Sequence, residues 1–202
     1  GLVGSEMCIR DSLMPSVEDI YPQKDTRVFD LGTTDKTMEG AHRPGHFNGV
    51  AQVVSRLFDI VRPERAYFGE KDFQQIAVIR EMVRRYGYPV QIIACPIVRG
   101  ADGLALSSRN ALLTPAHRAA APTIYGALSE NAAAARTMSV EEFRRRVVER
   151  IDATKLLKTE YLSVVHAETL EEIDTWSDSF PMRCCIAVQA GDIRLIDNIA
   201  IA

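Results

Sequence analysis

Apolar residues recur at the spacing of a helix face soon after His46, at Phe47, Val50, Val53, Val54, Leu57, Phe58 and Val61, and Pro63 closes the run. That pattern predicts an amphipathic helix with its apolar face in a core. The period then shortens: Ala66, Tyr67 and Phe68 read as a strand. Ile76, Ile79, Met82 and Val83 read as the inward face of a second helix, from about Asp72 to Tyr86, ended by Gly87. Residues 90–95 (VQIIAC) form an apolar, β-branched run bounded by Pro96, which predicts another strand. Alternating helices and strands of these lengths imply parallel strands with right-handed crossovers, part of a doubly wound α/β sheet.

The flanks are different in texture. Residues 1–12 (GLVGSEMCIRDS) show no periodicity or cap and read as a segment foreign to the domain. From Leu13 onward, Pro15 to Pro22 predicts one helical turn and residues 26–31 a short strand. After Val98 a turn, Gly100-Ala101-Asp102-Gly103, leads to the polar cluster Ser107-Ser108-Arg109-Asn110, and a domain boundary is expected there. Thr114-Pro115 starts an alanine-rich helix reaching about Ala135. Ser139 and Glu142 form a capping box for a helix with the stripe Val140, Phe143, Val147 and Ile151. Strands are expected at 160–165, 184–189 and 194–201, with a helix at 169–174 and a hairpin turn at Gly191-Asp192. The division is therefore 1–12, then 13–98 as part of a parallel-sheet domain, then 99–202 as a small α+β domain.

Composition narrows the class of partner. The chain has 202 residues, 47% of them hydrophobic, which is enough for a real core. A formal net charge of −3 gives no electrostatic reason to expect nucleic acid or an anionic membrane, so small molecules are the expected ligands. No apolar run approaches the roughly 20 residues of a membrane span, and no basic flank precedes an apolar segment at the start, which gives a cytoplasmic expectation. The cysteines, Cys8, Cys95, Cys184 and Cys185, include no CxxC pair; the last three read as reduced thiols, mostly buried.

Candidate chemistry gathers at Phe68-Gly69-Glu70-Lys71-Asp72-Phe73-Gln74-Gln75. Gly69 reads as a turn needing no Cβ, between a strand and a helix start, where an open parallel sheet places its ligand crevice. Lys71 and Gln75, four apart, share a helix face. The lysine can neutralise a polyphosphate, Asp72 can accept from ribose hydroxyls, and Gln75 can hold a small polar acid; the alternative is an ordinary exposed first turn. Ser107, Ser108 and Arg109 can grip phosphate oxygens by charge-assisted hydrogen bonds, or simply cap a helix. Val98 is either a core valine or a backbone contact for an adenine edge. His42 and His46 flank Arg43-Pro44-Gly45 without a carboxylate or thiol to complete a metal set, so no metal site is expected. Arg144, Arg145 and Arg146 alternate with Glu141, Glu142 and Glu149, as on a solvated face. Neither GxxxxGK[ST] nor GxGxxG occurs.

Five ordered stretches together resemble the pantothenate synthetase family. They are Pro15-Ser16 with Ile20-Tyr21-Pro22; Glu39-Gly40 with Arg43-Pro44-Gly45-His46-Phe47; the run Phe68 to Gln75; Asp102-Gly103-Leu104-Ala105 with Ser107-Ser108-Arg109-Asn110; and Asp192 with Arg194-Leu195-Ile196-Asp197-Asn198. The resemblance implies a Rossmann-like, nucleotidyltransferase-type domain followed by a smaller one. It further implies a cytoplasmic, homodimeric ligase of the coenzyme A pathway that joins pantoate to β-alanine, with ATP as substrate and Mg2+ sharing the phosphate charge. By matched position it assigns ATP contacts to Gly69, Glu70, Lys71, Asp72, Val98, Leu106, Ser107, Ser108 and Arg109. Pantoate contacts fall to Gln75 and Phe68, and catalysis to Lys71, Ser107 and Arg109.

The resemblance also implies a region of roughly a hundred residues ahead of Leu13, with an HxGH-type phosphate motif and a further glutamine, which this sequence lacks. The expectation is a truncated chain that does not complete the ligation alone and binds ATP weakly. Two other readings stand beside it: a non-catalytic nucleotide-binding or dimerising fragment, and another adenylate-forming enzyme acting on a different acid.

Overall fold

The computed structural model describes residues 15–201; the foreign-looking segment 1–12 and Cys8 lie outside them. Helix α1 (Val17–Ile20) is held by a capping box, in which the Ser16 hydroxyl accepts from the Asp19 N–H at 3.2 Å and the Asp19 carboxylate accepts from the Ser16 N–H at 2.9 Å. Residues 26–31 are extended but join no sheet, contrary to the strand expected there. Side chains supply their partners. Phe29 N–H donates to Asn48 Oδ1 at 2.8 Å, the Gln52 amide donates to the Arg27 carbonyl at 2.7 Å, and Asp30 N–H donates to the Tyr86 hydroxyl at 2.8 Å. A segment satisfied this way needs no neighbouring strand.

Helix α2 (Met38–His42) and helix α3 (His46–Val61) follow. Gly40 is required where it stands, because a Cβ there would lie 1.9 Å from the Asp35 carbonyl oxygen. In α3 the buried apolar positions are Phe47, Ala51, Val54 and Phe58, whereas Val53, Leu57 and Val61 are exposed, at 49%, 47% and 66%. The expected apolar face is wider than the strip that meets its neighbour, so only the 47/51/54/58 row enters the core.

Strand β1 (Arg65–Gly69) pairs in parallel with strand β2 (Gln91–Cys95), Tyr67 opposite Ile93. Between them run a single 3-10 turn, Glu70–Asp72, and helix α4 (Phe73–Tyr86), which ends on Gly87 at φ 68°. The strand, helix, strand order is as expected. Gly69, however, is not the turn residue: at φ −71° it is ordinary extended backbone, and the 3-10 residues after it make the bend. Phe29, Phe47, Val54, Phe58, Val78, Ile79 and Met82 form the core on the helix side of β1 and β2.

Residues 98–106 fold back on themselves: Arg99 bridges Ala105, and the Leu106 N–H donates to the Val98 carbonyl at 2.9 Å. A 3-10 segment, Ser108–Leu112, then leads to helix α5 (Pro115–Ala120), capped by Thr114, and helix α6 (Thr123–Ala133). The single helix expected here is two; Pro122, which has no N–H to continue the ladder, divides it. Helix α7 (Val140–Asp152) buries Val140, Phe143, Val147 and Ile151, as the stripe predicts. Its cap is half a box: Ser139 accepts from the Glu142 N–H, while the Glu142 carboxylate turns to Arg145 and Arg146.

Strands β3 (Leu157–His166), β4 (Met182–Ala190) and β5 (Ile193–Ile201) form an antiparallel sheet in that order. Gly191, at φ 62°, and Asp192 make the hairpin between β4 and β5. The helix expected at 169–174 is absent: Leu170 takes φ 61°, and Ile173 N–H donates to the Val164 carbonyl at 3.0 Å, laying this stretch back along β3. The sheet is covered twice. Cys184, Ile186 and Val188 pack with α6 and α7, and Val165 and Cys185 pack with Met38 of α2 and Ala77 of α4. The thiols of Cys95, Cys184 and Cys185 are free, and burial pushes Cys185 up to about 12 and Cys184 well above its ordinary value.

Candidate functional site

A cavity of about 250 Å³ opens at the carboxyl end of β1, between α2, the start of α4 and the face of β5. The 3-10 turn aims Lys71 and Asp72 into it. Asp72 occupies the N-cap position of α4 yet makes no capping hydrogen bond, so its carboxylate is available to the cavity. Gln75 faces the same space from the first turn of α4; Lys71, expected on the same helix face, stands instead in the 3-10 turn ahead of it, and the two meet at the cavity. Its neighbour Gln74 also borders the cavity but is buried: it donates to the Thr34 carbonyl at 2.8 Å and the Thr37 carbonyl at 2.9 Å and accepts from the Glu39 N–H at 3.0 Å. Gln74 thus fixes α2 against α4. Arg109 reaches the cavity from the opposite side, and Ser107, whose hydroxyl accepts from the Arg109 N–H at 3.2 Å, lines a small recess beside it with Lys71 and Arg109.

Other residues proposed from sequence lie elsewhere. Phe68 packs into the core beside β1, and Gly69 borders neither the cavity nor the recess. The Glu70 carboxylate is held by Arg183 at 3.1 Å. Val98 is 66% exposed with its carbonyl already bonded to Leu106, and Leu106 and Ser108 are exposed off the cavity wall. Conversely, Glu39, Arg43, His46, Tyr161, Asp197 and Asn198 line the cavity without having been assigned to it from the residues alone. The polar run Arg43-Pro44-Gly45-His46 ahead of an apolar helix was the available signal for Arg43 and His46. Tyr161 joins only through a sheet 122 residues away from Glu39.

The charges are arranged with some pairs closed and others open. Arg194 grips Glu39 at 2.6 and 2.8 Å and Glu160 at 2.6 Å, and the Tyr161 hydroxyl donates to Glu39 at 2.9 Å. Burial works to raise the Glu39 carboxyl, but the hydrogen bonds from Arg194 and Tyr161 outweigh it and hold Glu39 below the usual carboxylate range. His46 is held below its ordinary value by burial and by the charge of Arg43, whose guanidinium donates to His46 Nε2 at 3.1 Å and so requires that nitrogen to be unprotonated. Lys71 and Arg109 have no acidic partner among the described residues. The cavity therefore presents two uncompensated cations, a carboxylate and a carboxamide.

The Glu39 linkage has a definite sign. A carboxyl whose folded value is depressed contributes stability that is present above its unfolded value, about 4.3, and lost as pH falls through the folded one. Glu39→Gln is expected to lower unfolding free energy at pH 7 by about 1.5–3 kcal/mol, the range for hydrogen bonds to charged groups, with the gap closing in acid. Urea melts of both proteins from pH 7 to pH 3 measure it; a gap constant with pH would show that the Glu39 charge is not what binds α2 to β3 and β5.

These features define an α/β protein with an anion-receptive cavity where the exit of a parallel strand meets a second, antiparallel sheet. The chain belongs to the pantoate-β-alanine ligase family, whose model matches residues 8–200. It is 55% identical over 186 residues to a pantothenate synthetase of Porphyromonas gingivalis, and 52% identical over 185 residues to one of Bacteroides thetaiotaomicron. Each alignment takes in 92% of this chain and 66% of the relative, so the chain spans about two thirds of the length of these proteins. Among solved structures, pantothenate synthetase from Thermus thermophilus superposes with a TM-score of 0.85 at 46% identity, covering 93% of this chain and 68% of that one. The Francisella tularensis pantoate-beta-alanine ligase, complexed with beta-gamma ATP and beta-alanine, superposes at 0.70 with 32% identity, over 91% of this chain and 61% of that one.

Proposed function

We propose that the cavity is the ATP- and acid-binding wall of a ligase that joins pantoate to β-alanine. The observation that carries this reading is the pair of unpartnered cations, Lys71 and Arg109, facing one space with Gln75 and Asp72. In the proposed reaction a pantoate carboxylate oxygen attacks the α-phosphorus of ATP and pyrophosphate leaves. The β-alanine amine then attacks the acyl carbon of the adenylate and AMP leaves. Negative charge grows on phosphate oxygens in the first step, and fixed cations stabilise it most where water is excluded.

Lys71 would neutralise the phosphates from the α4 side, Arg109 and Ser107 would close on them from the other, and Gln75 would hold the pantoate. Gly69, without a side chain, would let ATP approach the backbone between Phe68 and Asp72, with Glu70 contributing its main chain. Val98, Leu106 and Ser108 would form the nucleotide edge. The Mg2+ that the family reading implies would share the phosphate charge, with Asp72 the carboxylate that faces the same space. A two-domain division at residue 98, a homodimer and a cytoplasmic setting belong to the same family reading; no helix of the described residues is long and apolar enough to cross a membrane.

Calorimetric titration of MgATP into the chain, with and without pantoate, tests the assignment. Weak, saturable heat that is lost in Arg109→Ala is expected. Heat indistinguishable between the two proteins would remove the cavity from nucleotide binding.

A further inference from the structure

We propose that Asp197 and Asn198 of β5 are positioning residues that set the Lys71 turn and the strap bearing Ser107 and Arg109 against each other. Neither touches the phosphates in the reading above, on which this inference rests. Consecutive residues on a strand point to opposite faces. Here both are polar and almost fully buried, at 5% and 2% exposure, in a sheet whose other buried side chains, Ser163 aside, are apolar. Burial of that kind is costly unless every polar atom is used.

Each is used toward a different half of the cavity. On one face, Asp197 takes the Arg99 guanidinium at 2.7 and 2.9 Å, and Arg99 also donates to the Gly103 carbonyl at 3.2 Å while lying 3.7 Å over the Tyr125 ring. Arg99 begins the hairpin 98–106 that delivers Ser107 and Arg109, so this contact anchors the strap to the sheet. On the other face, the Asn198 amide donates to the carbonyls of Glu70 at 2.8 Å and Lys71 at 3.1 Å, the two residues that place the lysine. Asn198 Oδ1 accepts from Arg183 at 2.8 Å, and Arg183 in turn holds the Glu70 carboxylate and lies 4.6 Å over the Phe73 ring. The Asn198 N–H donates to Asp197 Oδ1 at 2.8 Å, which joins the two halves. One strand therefore measures the gap between the lysine and the arginine. Displacing reacting groups by about 1 Å costs as much as a hundredfold in rate, so such a gauge matters without contacting substrate.

The test uses the whole chain, unmodified and as Asn198→Ala or Asp197→Asn, with hydrogen exchange and MgATP titration at a temperature where all three are folded. Losing the two donors of Asn198 is expected to speed exchange at residues 70–73 and to weaken MgATP binding, each about 10–100-fold, with β3 and β4 unaffected. Asp197→Asn is expected to speed exchange in the strap 98–106 while sparing the Lys71 turn. Faster exchange across the entire β3 to β5 sheet, or unchanged affinity in both variants, overturns the proposal. If the unmodified chain takes up no MgATP, the functional reading fails on its own, and the exchange pattern alone decides whether the pair holds the two segments.

Discussion

On the proposed function, Lys71→Ala is expected to lower pantoate-dependent pyrophosphate release at least about a hundredfold in preparations competent to form the adenylate, the effect of removing one preorganised donor to transition-state charge, about 2.7–4 kcal/mol. The expectation rests on placement: the lysine is half-buried, is fixed by a 3-10 turn at the exit of β1, and makes no ion pair with an acid among the described residues. Lys71→Arg should recover part of the loss, because charge is kept while the point-like ammonium is replaced by a planar fork. Quench-flow release of labelled pyrophosphate reads both variants, and near-normal release from Lys71→Ala would take the residue out of the chemistry.

The second large effect lies in the core. Phe143→Ala costs about 3–5 kcal/mol of stability, since a fully buried ring is lost and a cavity is left behind. Phe143 has no exposed surface and meets Trp176 edge to face, with ring centroids 5.5 Å apart. Trp176, whose indole N–H donates to the Met138 carbonyl at 2.6 Å, is the single tryptophan, so its fluorescence in urea reports directly on this layer. A loss under about 1 kcal/mol would mean that the site collapses around the deletion far more completely than packed cores do.

Much of this architecture is legible in the residues. The β1, α4, β2 order and the α7 stripe follow from periodicity; α7 buries one well-defined face, whereas α4 also buries Ala77 and Val78, beyond the expected inward row, because it packs against both sheets. The failures have local causes. Residues 26–31 have the composition of a strand but receive their hydrogen bonds from Asn48, Gln52 and Tyr86, partners that no strand pattern encodes. In α3 the helix is apolar over more than one face, so composition could not tell the packed row from Val53, Leu57 and Val61. At the site, Lys71 and Gln75 were within reach because they are close in sequence at the exit of one strand, although Lys71 stands in the 3-10 turn ahead of α4 and not on its face. Glu39 with Tyr161 and Arg194 was not, since that cluster forms only when α2 meets β3 and β5.

The double covering of the antiparallel sheet has a further consequence for how the chain finds its fold. Where both faces of a sheet are apolar, alternation no longer penalises a strand that pairs one residue out of step. Residues 184–188 (CCIAV) are such a case. A one-residue slip of β5 would swing Asp197 away from Arg99 and drive Asn198 among Ile186 and its apolar neighbours with its amide unsatisfied. The two polar side chains thus act as a proofreading mark for strand pairing, making the misaligned sheet unfavourable where hydrophobic burial alone would tolerate it.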